Sequence, residues 1–158
     1  MESTDCGPAC LQMVCAFYGK SVSLQYIKDC MSISRIGVTV RDLKDRASDL
    51  GFNTVVAKAK LFQLNRILSP VILHWNNSHF VLLYKIRKNR NNTYSYYIAD
   101  PSHGKIKFSQ EEFARNWLSA KEYGLVLFLS PTEKFYNLKI QKQKNDWGIA
   151  ISLLKKYV

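Results

Sequence analysis

Three residues whose types could do covalent chemistry together stand far apart in this chain: Cys6 in D-C-G-P, His79 in S-H-F-V-L-L and Asp100 in A-D-P. Gly7-Pro8 opens a run in which Leu11, Val14, Cys15 and Tyr18 recur at helical spacing until Gly19, so Cys6 stands at a helix N-terminus. There the positive end of the helix dipole and the unpaired N–H groups favour thiolate over thiol, which makes Cys6 a candidate nucleophile. His79 lies at the mouth of an apolar strand, a rigid mount that can hold an imidazole against a partner. Asp100 ends the strand expected to return antiparallel after the Lys88–Asn92 loop, which brings its carboxylate back towards His79. Taken singly, each has an ordinary structural reading: a buried or capping cysteine, a histidine within a sheet, an acid in a turn before proline. Taken together they form the general arrangement of a thiol protease. The thiolate attacks a carbonyl carbon, the imidazole holds and then donates a proton, and the acid fixes the ring's tautomer and orientation.

The other polar candidates carry less chemistry. The cysteines Cys6, Cys10, Cys15 and Cys30 follow C-x3-C-x4-C-x14-C, with the first three on one helix. Zinc sites pair thiolates two to four residues apart around a turn, and a disulfide framework would be odd in a chain with no other cysteine, so Cys10, Cys15 and Cys30 read as small buried hydrophobes. His74 ends an apolar strand and is expected to satisfy a local hydrogen bond; His103 reads as a turn residue; neither is given a catalytic role, and no metal site is expected. With 23 Lys+Arg against 12 Asp+Glu the net charge is +11. The dense stretch Lys85–Arg90 reads as a solvated hairpin loop, and a second follows at Lys134–Lys144. Nucleic acid is the next reading of such charge, but no helix-turn-helix, zinc finger or aromatic RNA-binding strand is present. A surface that attracts acidic peptides or sits near anionic lipid is the third, and charge alone does not separate them.

The elements that must position the three residues follow from pattern. A chain of 158 residues, 47% hydrophobic and 13% aromatic, suffices for one core, and no apolar run approaches the roughly 18 residues of a membrane span. Met1–Asp5 carries two acids and does not read as a secretory signal, so the default compartment is the cytoplasm. After the first helix, Ser23 is placed to cap a second through Leu24, Ile27 and Met31, and Thr39 with Asp42 forms a capping box for a third that Gly51 ends. Strands are expected over Asn53–Ala59, Pro70–Trp75, His79–Arg87, Thr93–Asp100, Lys105–Phe108 and Leu125–Leu129. A short helix is expected over Leu61–Leu68, and another after Ser109, carrying Phe113 and Trp117. Helices first, then antiparallel strands with one inserted helix, is an α+β pattern. From Pro131 the composition turns polar, and Trp147–Val158 reads as an amphipathic interfacial helix. The expected organisation is therefore a domain over 1–132 and a loosely packed connector and helix over 133–158.

Met1–Phe17 (M-E-S-T-D-C-G-P-A-C-L-Q-M-V-C-A-F), followed by Tyr18-Gly19, resembles the opening of the double-glycine leader peptidase domain at the N-terminus of bacteriocin-exporting ABC transporters. Further matches are Gly37-Val38-Thr39, Leu50-Gly51-Phe52, Pro70-Val71-Ile72 leading to His79-Phe80-Val81, Asp100-Pro101 with Gly104, and Phe113 with Trp117. The resemblance spans about residues 1 to 135. It implies a papain-like fold, N-terminal helices packed on a C-terminal antiparallel sheet, with Cys6 as nucleophile, His79 as general base and acid, and Asp100 as the orienting acid. It implies an oxyanion donor in the Cys6 main-chain N–H, and a substrate contact through the Ser78 main chain. The family's glutamine, six residues before the nucleophile, would precede Met1; Gln12 points elsewhere, and loss of such a donor costs roughly 10²- to 10³-fold in turnover. The implied substrate is a precursor peptide whose leader ends in Gly-Gly or Gly-Ala. The implied partners are the membrane and ATPase domains of a dimeric transporter at the cytoplasmic side of a bacterial membrane, with nucleic acid excluded. No cofactor is implied for the peptidase, ATP and Mg²⁺ belonging to the ATPase domain. The alternative is a peptidase-like domain that only binds cargo and presents it.

Overall fold

A computed structural model describes residues 5–29, 31, 37–119 and 122–140. The elements run α1 (Cys6–Phe17), α2 (Leu24–Asp29), α3 (Val40–Asp49), β1 (Phe52–Ala59), α4 (Leu61–Leu64), β2 (Val71–Trp75), β3 (His79–Lys88), β4 (Tyr94–Asp100), β5 (Gly104–Ser109), α5 (Gln110–Trp117), β6 (Gly124–Pro131) and α6 (Glu133–Asn137). Six antiparallel strands form one sheet in the order β1-β6-β2-β3-β4-β5. This is the expected α+β arrangement, three helices and then a sheet.

The central strands are apolar on both faces, as buried strands must be. On β3, Phe80 and Leu82 join a core with Leu11, Val14 and Cys15 of α1 and Leu43 and Ala47 of α3. Val81 and Leu83 point the other way, into a second core with Trp75, Tyr96, Ile98 and the α5 residues Phe113 and Trp117. Helices thus cover both faces and clamp β3 between them.

The local signals do what their chemistry requires. Thr39 and Asp42 exchange a reciprocal capping box, as do Ser109 and Glu112, and the Ser23 hydroxyl accepts from the Tyr26 amide at 3.0 Å. The helix expected over Leu61–Leu68 closes at Leu64, with Asn65 at its C-cap. The Asn65 side-chain oxygen accepts from the Tyr96 hydroxyl at 2.6 Å, so a tertiary contact fixes the end of that helix. Met31, expected on the second helix, follows its end and packs on the first core.

The larger correction is at the chain's later part. Loose packing was expected from about Glu133, yet Phe135 of α6 is wholly buried, its ring 4.6 Å from that of Phe52. Gly51 explains the fit. Its φ is +100°, and a Cβ there would collide with the Phe135 backbone, so only glycine lets α6 dock. The Gly51 carbonyl accepts from the Thr132 N–H at 3.0 Å, and Lys20 Nζ donates to the carbonyls of Phe135 and Leu138 at 2.5 and 2.6 Å. Cys30 and the helix expected over Trp147–Val158 lie outside the described residues.

Candidate active site

Cys6 is the first residue of α1, where its own N–H and those of the next turn have no intrahelical carbonyl. The sequence Cys6-Gly7-Pro8 suits that place. A Cβ on Gly7 would press on the Phe80 ring at 3.3 Å, so glycine lets the helix start sit against β3. Pro8, in the first turn, lacks an N–H that would have had no partner there. Asp5, just before Cys6, is buried, and its carboxylate would oppose a thiolate there. Lys28 of α2 neutralises it at 2.7 Å.

His79 opens β3 after a tight turn in which Asn76 and Asn77 take φ of 49° and 59°, a left-handed conformation asparagine tolerates. That turn is pinned to α5: the Asn76 N–H donates to the Asn116 carbonyl at 2.8 Å and the two side-chain amides meet at 3.0 Å. The strand register pairs Leu82 with Ala99 and Leu83 with Ile98, so Asp100, the next residue and the end of β4, comes beside the start of β3 that carries His79.

The side chains close the arrangement. His79 Nε2 lies 2.8 Å from Asp100 Oδ1, and the imidazole makes a further hydrogen bond to the Cys6 side chain. With Nε2 committed to the carboxylate, Nδ1 is the ring nitrogen left for Cys6. Asp100 Oδ1 also accepts from the Ser102 N–H at 2.8 Å.

Electrostatics follow from these contacts. Burial works against a thiolate at Cys6. The hydrogen bond from His79, the amides of Phe80 and Gly7 and the charge on His79 outweigh it and hold the thiol below its ordinary value. The Cys6 hydrogen bond, against burial and with help from Asp100, lifts His79 to about 9. Burial would raise Asp100, but its bonds to His79 and Ser102 keep it below the usual carboxylate range. Cys10 and Cys15 are buried and free, and burial pushes the first well above an ordinary thiol and the second up to about 12. Cys6 alone of these three is activated.

The remaining candidates fall out as follows. Gln12 donates to the Val22 carbonyl at 3.0 Å, away from the site. The Ser78 N–H donates to the Trp75 carbonyl at 3.2 Å. No hydrogen bond to the His74 side chain is found among the described residues, contrary to expectation. Its ring lies 5.2 Å from that of Phe80, it lines a cavity of about 240 Å³ with Lys58, Trp117 and Tyr123, and burial lowers its pKa. His103 lies in the turn expected for it, and its Nδ1 reaches Asp100 Oδ2 at 3.3 Å. The signal was present in D-P-S-H, where a four-residue turn brings the last side chain back over the first.

Residues 1–134 match the model of the Peptidase C39 family. The chain is 33% identical over 140 residues to the colicin V secretion/processing ATP-binding protein CvaB of Escherichia coli, covering 89% of this chain and 19% of that protein. It is 30% identical over 146 residues to the transport/processing ATP-binding protein ComA of Streptococcus pneumoniae, covering 90% and 20%. It thus spans about a fifth of the length of these curated relatives. Among solved structures, a double glycine motif protease from an AMS/PCAT transporter, in complex with the leader peptide, superposes with a TM-score of 0.72 at 32% identity, covering 84% of this chain and 88% of that one. The peptidase domain of Streptococcus ComA gives 0.67 at 29%, covering 84% and 95%.

Proposed function

Since the chain belongs to the Peptidase C39 family, with the papain-like fold of its structural neighbours, we propose that it is a cysteine endopeptidase domain that cleaves the leader of a precursor peptide after a double glycine. The observation that carries this reading is the line of contacts from Cys6 at the head of α1, through the His79 ring, to Asp100. The roles follow from it. The Cys6 thiolate attacks the carbonyl carbon of the scissile peptide, and the Cys6 main-chain N–H, at the helix start, donates to the oxygen as charge develops on it. The His79 imidazolium gives its proton to the departing amine as the C–N bond breaks, leaving a thioester on Cys6 and a free amine on the cargo. Water then adds to the thioester as His79 takes its proton. Collapse of the adduct breaks the C–S bond, the leader departs as a carboxylic acid that gives its proton to solvent, and the thiolate–imidazolium pair is restored. Asp100 keeps the ring oriented through both steps.

Two glycines at the cut suit a narrow slot that excludes side chains. The Ser78 N–H is engaged within its turn, so its carbonyl is the main-chain group left to meet the substrate backbone. The membrane and ATPase domains of a dimeric transporter are the partners this reading requires, with cleavage coupled to export. No helix among the described residues is long and apolar enough to cross a membrane. The test uses a synthetic precursor with a Gly-Gly leader and mass spectrometry of its products. Cys6→Ala should abolish the cut after the second glycine and His79→Ala should be nearly as damaging. Asp100→Asn should keep more activity, because an amide still holds the ring. Turnover retained in Cys6→Ala would refute the assignment.

A further inference from the structure

We infer that His103 is a positioning residue that fixes the plane of the Asp100 carboxylate for His79, an inference that rests on reading Cys6, His79 and Asp100 as catalytic. Two donors converge on Asp100 Oδ1, His79 Nε2 and the Ser102 N–H, each at 2.8 Å. Bonds to one oxygen fix a point and leave the carboxyl group free to turn about its Cβ–Cγ bond. A donor on the second oxygen removes that freedom. His103 Nδ1 supplies it at 3.3 Å, and a nitrogen facing a carboxylate at that distance carries the proton. The lone pair of Oδ1 is then aimed along the line on which Nε2–H meets it. The carboxylate is itself buried, whereas the His103 side chain is 72% exposed, so the turn delivers the bond from the solvent side without opening the site.

The charges around this bond are few. From β4 the ring meets Asp100, and through that carboxylate it is coupled to His79 on β3. Cys6 and Cys10 lie beyond on α1, the Cys10 thiol feeling the Asp100 charge. Lys105 follows on β5, two residues after His103. Removing His103 leaves Oδ2 to water. The His79 imidazolium is then less well supported, and the thiolate that depends on it forms at higher pH.

The experiment compares His103→Ala and His103→Asn with the unaltered chain. Asparagine is the informative replacement, since its amide nitrogen falls where Nδ1 lies but carries no titratable charge. Two readouts are taken across pH, kcat and KM for the Gly-Gly precursor and the rate of Cys6 alkylation by iodoacetamide. His103→Ala should lower kcat roughly twofold to tenfold, the worth of one polar hydrogen bond, with KM unchanged. It should also move the alkylation profile to higher pH by a few tenths of a unit up to about one. His103→Asn should restore most of both. An unmoved or downward-moved profile with unchanged kcat in His103→Ala overturns the inference, as does an asparagine variant that behaves like alanine. Alkylation does not depend on the substrate. A shifted profile in a protein that cuts no precursor would therefore sink the peptidase reading alone, while normal cutting with an unmoved profile would sink this one alone.

Discussion

The proton shared by Cys6 and His79 decides the pH at which the site can work. In the proposed mechanism the active form carries a thiolate on Cys6 and a proton on His79, and it exists above the lowered Cys6 titration and below that of His79, at about 9. As pH falls through the Cys6 value, the nucleophile is protonated and the rate drops. As pH rises through about 9, the imidazolium loses the proton that the leaving amine needs, and the rate drops again. A bell-shaped kcat/KM profile with its alkaline limb near that value is expected, and activity still rising well beyond it would contradict the pair. Since the bond to Cys6 is the largest contribution raising His79, ahead of Asp100, Cys6→Ala should let the His79 NMR titration fall below about 9. A titration that stayed there would assign the shift to Asp100. Alkylation at neutral pH should label Cys6 well ahead of Cys10 and Cys15, both buried and held as thiols.

At the scale of elements, what could be read from sequence was what neighbours in the chain decide. Thr39 with Asp42 and Ser109 with Glu112 are capping boxes because three residues of spacing suffice to make them. Replacing Thr39 by alanine should cost about 1 kcal/mol in denaturant unfolding, and no loss would mean that packing holds α3 without its cap. That Cys6, His79 and Asp100 would come together was legible for a related reason, since a helix start, a strand start and the return of a hairpin are each local patterns. What escaped depends on residues far apart. Asn116 pins the turn before His79 from forty positions away, and nothing in N-N-S-H names that partner. Gly124 is similar: it opens β6 directly under the Trp117 indole, whose Nε1 donates to the Leu125 carbonyl at 3.0 Å. A methyl group at Gly124 would lie within the ring, so Gly124→Ala should cost about 1–3 kcal/mol or more, the penalty of overpacking. A variant as stable as the parent would show that the indole moves aside freely.

For the whole molecule, the order of the sheet explains why the chain beyond β6 belongs to the core. β6 inserts between β1 and β2, so the last strand closes the middle of the sheet rather than an edge, and the chain leaves it beside Phe52 at the start of β1. That exit sets α6 over the gap between β1 and α1, where Phe135 meets Phe52 and Lys20 reaches across from the end of α1 to its carbonyl. Composition could not reveal this. Phe135 sits in E-K-F-Y-N, a polar stretch that reads as a connector, and its burial depends on a glycine at position 51 and a lysine at position 20. Truncating a fully buried phenylalanine removes its transfer free energy and leaves a cavity, so Phe135→Ala should destabilise the domain by about 3–5 kcal/mol. That corresponds to a fall in melting temperature on the order of 10 °C for a domain of this size. A chain ending at Glu133 should fall at least as far, because it also loses the carbonyls that Lys20 holds, whereas a chain ending at Ile140 keeps every described contact of α6 and should melt near the parent. If the chain ending at Glu133 melted with the parent and cut the precursor as fast, Phe135 would be a passenger on the surface of the domain and the unit would close at Pro131.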